Sequence, residues 1–309
     1  MNSRVALTIA LLAGAFALAG CGKSNNLSAP DAGGSNAEDQ VLATEAVAQS
    51  PEMIDEDVYA TADITQFDGG PGLAAIQPLR FWRTITNVST RMDFTFSDPD
   101  SAGRPTRAIA TVRRNLTGTF NVVAGDPAST DTTRSLIRKP LEDHWVRRLA
   151  LVRTRVWDDS VRNRHHERWR VVGTSGVEVT AKDATSQVQS LRVQAGALDT
   201  TITNPLEMFR LRHVLQIAGG TPVTLTATTG RSNDVVLMYR FGERRRFVNN
   251  GDGTYTFQWT TSDFGGLRHL GVNVLSNGTL YDDTAAYDSK AWVLPFVVRP
   301  TDDPVASLQ

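Results

Sequence analysis

The sequence predicts an all-β protein built from antiparallel strands. From about Arg80 onward, apolar residues recur with a period of two, which is typical of strands with one buried face. The alternating runs are rich in Thr, Val and aromatic residues, and Gly, Asn and Pro residues that favour turns separate them. No long amphipathic helical pattern lies between these runs, so parallel β-α-β units are not expected.

Region 76–204 is predicted to be an antiparallel β-meander that folds into a sandwich or an open barrel. Its clearest alternation is the run 112–122, which places polar residues on one face and apolar residues on the other, the apolar set being Val112, Leu116, Phe120 and Val122. Similar runs lie at 92–96, 145–157, 168–180 and 187–195. Runs that follow one another after short turns favour pairing between neighbours in the chain.

Region 205–300 contains further short strand patterns, at 209–217, 223–228, 235–241, 254–260, 270–274 and 292–298. The turn Asn249-Asn250-Gly251-Asp252-Gly253 precedes a strand with three aromatic residues. This region resembles the bacterial immunoglobulin-like (Ig-like) and fibronectin-III-like modules of surface proteins, so a C-terminal Ig-like β-sandwich is expected after the meander. It lacks a cysteine pair, and Tyr239 stands where a tryptophan is usual. The resemblance implies a spacer, adhesive or docking role.

The N-terminus predicts a secretory signal peptide over residues 1–20. One positive charge, Arg4, precedes an apolar run at 5–19 that is too short for a comfortable transmembrane helix. The run ends in Leu18-Ala19-Gly20-Cys21, which resembles the lipobox of bacterial lipoproteins. That resemblance implies cleavage before Cys21 and attachment of lipid, including palmitate-type acyl chains, to this residue. Cys21 is the only cysteine, so no intramolecular disulfide can form.

Residues 21–75 are predicted to be a flexible acidic tether. This segment carries one base and ten acids, a net charge of −9, whereas residues 76–309 carry 30 bases and 23 acids, a net charge of +7. A capping box at Ser35-Asn36-Ala37-Glu38 and a weak apolar stripe of Val41, Leu42, Ala46 and Val47 predict a short helix at 37–49 within it. Residues 301–309 are assigned to a C-terminal tail.

The strongest candidate for a binding surface is the region 144–170, which contains eight arginines and three tryptophans. Arginine guanidinium groups match phosphate and carboxylate, and aromatic faces stack on sugars. The predicted binding residues are Trp145, Arg153, Arg155, Trp157, Arg168, Trp169 and Arg170. An ordinary solvated strand face is the alternative, because arginines outnumber lysines 28 to four throughout the chain.

The sequence predicts no metal site, no cofactor and no catalytic residue. His165 and His166 are adjacent, so on a strand they point to opposite faces. The acidic residues Asp98 and Asp100 resemble a calcium loop only partly, and an Asx turn is the preferred interpretation. Nucleophile elbows and phosphate-binding loops are also missing from the sequence.

Together these patterns predict a lipid-anchored cell-envelope protein with a non-enzymatic binding or structural role. One alternative is a lipoprotein that binds carbohydrate or an anionic polymer through the Trp/Arg surface at 145–170, and a second is an envelope hydrolase in the N-terminal β domain. The expected partners are the membrane and an envelope protein or polysaccharide, and not nucleic acid. The protein is expected to face the periplasm or the medium, and Gly22 favours the outer membrane in a Gram-negative cell.

Overall fold

The computed structural model describes residues 35–50, 65–66, 76–125, 134–158, 164–210, 214–240 and 243–300. The predicted signal peptide at 1–20, the predicted lipidation site Cys21 and the predicted tail at 301–309 lie outside the described residues, as do most of residues 51–75. The model confirms the all-β prediction, because the described strands form two sheets whose pairs are antiparallel with one exception.

The described elements, in chain order, are α1 (Ser35–Ala48), β1 (Thr65–Gln66), β2 (Gln77–Pro99), β3 (Pro105–Gly125), β4 (Arg134–Asp158), β5 (Arg164–Ala181), β6 (Val188–Ala195), β7 (Leu198–Ile202), β8 (Phe209–Arg210), β9 (Leu215–Ala218), β10 (Pro222–Thr229), β11 (Val235–Arg240), β12 (Glu243–Arg246), β13 (Val248–Asn249), β14 (Thr254–Thr260), β15 (Gly266–Leu275), α2 (Asn277–Tyr281) and β16 (Ser289–Arg299).

The larger sheet has eleven strands and the smaller sheet has five. The order in the larger sheet is β1-β2-β3-β4-β5-β16-β15-β11-β12, with β8 paired to β5 and the parallel strand β9 paired to β16. The order in the smaller sheet is β13-β14-β10-β6-β7. Strands β2 to β5 follow one another as a meander, as the sequence predicts.

Alternation along β3 places the side chains as predicted. The apolar residues Val112, Leu116, Phe120 and Val122 are buried, and Arg113 on the opposite face is exposed. We call the buried face of β2 to β5 the inner face and the opposite face the outer face. The alternation continues along the hairpin, in which β2 and β3 pair over almost their whole length with two register shifts.

The larger sheet curls, so that strands far apart in the sheet order share one core. Phe81 of β2 and Phe120 of β3 lie in the same hydrophobic cluster as Leu237 and Tyr239 of β11. Further along the inner face, α1 covers the sheet through Ala43, Ala46 and Val47, which pack with Trp169 and Val171 of β5. The helix lies where the sequence predicts it, except that Val41 of the predicted apolar stripe is exposed.

The smaller sheet packs on the opposite face of β11, β15 and β16. Leu225 and Tyr255 of the smaller sheet lie in one cluster with Val272 and Leu294 of the larger sheet. Both sheets contain strands from both sides of the predicted boundary at 204/205. In the larger sheet β5 pairs with β16, and in the smaller sheet β6 pairs with β10. The division into a 76–204 domain and a 205–300 domain, and the Ig-like identity of the second, stay predictions.

Proline has no N–H to donate to a ladder, and the structure shows how β16 accommodates Pro295. On one side β16 pairs with β15 along its length. On its other side β5 pairs with residues 290–293 and β9 with residues 296–299, so Pro295 lies in the gap between these two partners. The missing N–H of proline therefore interrupts no ladder on that side.

Candidate functional site

The structure separates six of the seven predicted binding residues into a buried group and an exposed group. The side chains of Trp145 and Trp169 are each only 2% exposed and lie in the inner-face core. A ligand in solvent therefore cannot reach their indole rings. For Trp157 the structure describes the backbone alone, which pairs with His165 across the β4–β5 hairpin.

Arg153 lies at the centre of a buried ion-pair cluster that fixes α1 to the sheet. Its guanidinium Nη2 donates to Asp39 Oδ1 at 2.6 Å, and its Nε lies 3.0 Å from Glu167 Oε2. The indole Nε1 of Trp169 also donates to Asp39 Oδ1, at 3.2 Å. The Arg153 side chain is 14% exposed and that of Asp39 is 2% exposed. We call these four residues, Asp39, Arg153, Glu167 and Trp169, the helix-docking cluster.

The cluster continues to the β2–β3 turn through Arg104. Arg104 Nη1 donates to Glu167 Oε2 at 3.1 Å, and its Nη2 donates to Asp100 Oδ2 at 2.9 Å. Asp100 Oδ1 also accepts from the backbone N–H groups of Ala102 and Arg104, which is the Asx turn preferred from the sequence. These hydrogen bonds, led by the one from the Arg104 backbone, lower the pKa of Asp100.

Sequence reasoning assigned Arg153 and Trp169 to a binding surface and did not connect either of them with Asp39. A signal for Asp39 is present in the helix, because Asp39, Ala43, Ala46 and Val47 are spaced as one face. A carboxylate in line with an apolar stripe indicates a buried cationic partner. What the sequence lacks is the identity of that partner, which is 114 residues away.

The exposed group consists of Arg155, Arg168 and Arg170. Arg168 and Arg170 lie on the outer face of β5, and their backbone partners in β4 are Thr154 and Val152. Arg155 is 73% exposed, and its Nε lies 3.7 Å from Glu167 Oε1. Exposed guanidinium groups of this kind are available to an anionic ligand.

A cleft of about 640 Å³ lies on the outer face next to Arg170, whose cross-strand partner Val152 lines it. Its lining is mostly apolar and includes Ile109, Val152, Val172, Met208 and Phe209. All five side chains are only partly buried. The cleft can therefore take an apolar group from solvent, since partly exposed apolar surface gains free energy when it is covered.

Charged groups flank the cleft on one cross-strand row. Val152 pairs with Arg107 of β3 on one side and with Arg170 of β5 on the other. Arg107 is 69% exposed and contacts Asp98 through a 3.2 Å ion pair. An apolar floor between two arginines suits a ligand with both an apolar part and a negative charge.

A second polar cluster lies inside the curled sheet. Arg83 of β2 is fully buried and donates to Tyr239 Oη at 2.8 Å, to Asn273 Oδ1 at 2.9 Å and to Tyr287 Oη at 3.2 Å. The Tyr287 hydroxyl donates in turn to Asp143 Oδ2 at 3.1 Å. We call these five residues the central cluster. Because its members come from β2, β4, β11, β15 and the segment before β16, it connects the two ends of the larger sheet.

Lys139 is a further buried cation, near α2. Its Nζ donates to the backbone carbonyls of Gly278 at 3.0 Å and Asp282 at 2.6 Å. Burial lowers the pKa of Lys139 to about 8, although the carboxylates of Asp282 and Asp283 oppose that shift. The lysine thus holds the C-terminal end of a five-residue helix against β4.

Within the described part of the chain, no three His, Cys, Asp or Glu side chains converge as metal ligands would. None of the helices in the described ranges is long and apolar enough to span a membrane. No protein-family model, no curated protein and no solved structure matches this chain.

Proposed function

We propose that this chain is a lipid-anchored cell-envelope protein whose β body has a non-enzymatic binding or structural role. The lipobox-like tetrad that ends at Cys21 supports the lipid anchor. The observation that carries the proposal is the docking of α1, which lies within the segment 21–75 predicted as a tether and is fixed to the sheet through Asp39 and Arg153. Tension on an anchored N-terminus would therefore be borne by a structured part of the body.

The distance between anchor and body follows from the chain length. Thirteen residues separate Cys21 from Ser35. A fully extended chain spans at most about 3.5 Å per residue, so the β body lies within roughly 50 Å of the lipid-bearing residue. A body held at this distance can contact other components of the same membrane surface.

The anchor is tested with Cys21→Ser in the full chain. The expected result is loss of labelled palmitate and movement of the protein from the membrane fraction to the soluble fraction, because two or more acyl chains are needed for stable attachment. Ser24→Ala is the matched control and should keep both label and membrane attachment. Unchanged membrane retention of Cys21→Ser would contradict the proposal.

A second candidate function is binding of an anionic polymer at the outer face. The exposed positions of Arg168 and Arg170 beside the apolar cleft favour it. We expect the full chain to bind polygalacturonate in a salt-dependent manner, and the double variant Arg168→Ala/Arg170→Ala to bind at least about fivefold more weakly, since each lost charge-assisted contact contributes about 1 kcal/mol or more.

The matched control for that experiment is Arg192→Ala. Arg192 is an exposed arginine of β6 on the smaller sheet, away from the cleft. Equal binding by the double variant and this control would remove the polymer-binding function. It would leave the lipid anchor unaffected, because the two proposals depend on different residues.

A further inference from the structure

Strand β2 has a long edge with no strand beside it among the described residues. Along one edge β2 pairs with β3 along its length. Along the other edge its partner among the described residues is β1, which pairs with Arg80 and Phe81 alone. Residues 86–91 are exposed on both faces. An edge of this kind presents backbone N–H and C=O groups that can pair with another strand.

The regular part of this edge is bounded at both ends. A β-bulge lies between Ile85 and Asn87. At the other end Asp98 has a positive φ of 53°, and Pro99 follows with no N–H to donate. The regular segment is therefore 87–97, and its midpoint is Met92.

We propose that this edge pairs with the same edge of a second copy of the chain. The two β2 strands run antiparallel about a two-fold axis that passes between the two Met92 residues. Each residue then pairs with the residue of the second copy whose number, added to its own, gives 184. Eleven residues of each copy then pair, which adds about ten backbone hydrogen bonds. Two-fold pairing of one patch with itself closes the assembly at a dimer.

The charges on the outer face favour this register over its neighbours. Residues that lie opposite each other in an antiparallel pair have their side chains on the same face of the sheet. The two-fold axis must therefore pass midway between two copies of the same residue. An axis at position 91 would oppose two arginines, and an axis at position 93 would oppose two aspartates. With the axis at Met92, Arg91 lies opposite Asp93 of the second copy, and both ion pairs are favourable.

The charge arrangement within one copy also leaves room for a second carboxylate. Arg91 lies directly opposite Arg113 of β3, which is an unfavourable like-charge pair. Asp93 forms ion pairs with both arginines, and the Arg91 side chain stays 79% exposed. Asp93 of the second copy would add a carboxylate beside Arg91. This negative charge would offset the repulsion between Arg91 and Arg113 in the same cross-strand row.

The inner face of the same edge carries matching apolar side chains. Met92, Phe94 and Phe96 are only partly buried at the edge of the core, and Val88 is 50% exposed. With the axis at Met92, Phe96 lies opposite Val88 of the second copy, Phe94 opposite Thr90, and the two Met92 side chains meet. Cross-strand pairs of an aromatic with a β-branched residue are among the stabilising ones.

The test is a charge-reversal mixing experiment on the full chain in a density-matched detergent. At about 100 µM, sedimentation velocity should show wild type as a dimer, and Arg91→Asp and Asp93→Arg each as a monomer, because each variant opposes like charges. An equimolar mixture of the two variants should be a dimer again, since the carboxylate introduced in one variant then faces the guanidinium introduced in the other. Arg192→Asp, which breaks an exposed ion pair on the smaller sheet, should remain dimeric. A monomeric wild type or a monomeric mixture would overturn the proposal.

Cysteine cross-linking tests the register. In a chain with Cys21→Ser, the variant Met92→Cys should form an intermolecular disulfide on oxidation, because the two introduced thiols meet at the axis. Ser89→Cys is the matched control and should not cross-link, since its partner is Thr95 and the two cysteines would lie about 20 Å apart. Cross-linking of Ser89→Cys but not of Met92→Cys would reject this register.

Discussion

Two arginines on the inner face of the larger sheet lie in very different surroundings. Arg83, in the central cluster, is fully buried, and its guanidinium donates to the neutral side chains of Tyr239, Asn273 and Tyr287. Arg153, in the helix-docking cluster, is 14% exposed and contacts the carboxylates of Asp39 and Glu167. The first arginine connects strands from both ends of the sheet, and the second connects one helix to it.

This difference indicates how each cluster contributes to stability. A buried charge whose partners come from distant strands can be satisfied only when the whole sheet is assembled, so its loss acts on global unfolding. A cluster that joins one peripheral helix can open while the sheet stays folded, so its loss acts on local unfolding. Substitutions in and around the two clusters therefore separate global from local unfolding.

Arg83→Met should lower the free energy of global unfolding by about 3 kcal/mol, because it removes three hydrogen bonds from buried hydroxyl and amide groups. The measurement is chemical denaturation followed by circular dichroism. Arg168→Met, at an exposed position of β5, is the matched control and should change stability by less than about 0.5 kcal/mol. Equal stability of Arg83→Met and wild type would show that the central cluster does not hold the sheet together.

The pH dependence of stability should show the buried Lys139. Burial lowers its folded pKa to about 8 from the ordinary 10.5, so the folded protein binds fewer protons than the unfolded chain between these values. Stability should therefore rise by about 2 kcal/mol from pH 8 to pH 10. In Lys139→Met this rise should be absent from denaturation curves. A rise of the same size in the variant would assign it to other groups.

Asp39→Ala should release α1 from the sheet at a cost of about 1 kcal/mol, since Arg153 keeps Glu167 as a partner. Hydrogen exchange should quicken at the amides of α1 and stay slow in β3 and β4. Glu45→Ala, at an exposed position of the same helix, is the control and should leave α1 protected. Equally fast exchange throughout the sheet would place Asp39 in the global unfolding unit instead.

Arg155→Ala should change the free energy of unfolding by less than about 0.5 kcal/mol, because its contact with Glu167 is long and solvent-exposed. Thermal denaturation in low and high salt is the measurement. A larger loss that disappears in high salt would show that Arg155 belongs to the helix-docking cluster.

The sequence predicted the strands better than the faces of those strands. Within the run 112–122 of β3 the apolar residues lie on one face, so the burial of Phe120 and the exposure of Arg113 follow from alternation. In β4 both faces mix apolar and charged residues, with Trp145 and Leu149 on one and Val146 and Val152 on the other. Alternation alone could not tell which face is covered, and the tryptophans were therefore assigned to a surface.

Periodicity and caps within short windows are enough to predict the all-β class, the order of the long hairpins and the helix near residue 40. By contrast, no short window of the sequence indicates that α1 covers the face of β4 that carries Trp145, or that Arg83 meets Tyr239, Asn273 and Tyr287. These contacts join residues 114 to 204 positions apart. They depend on how the sheet curls, and the sum of packing over many strands sets that curvature rather than any local pattern.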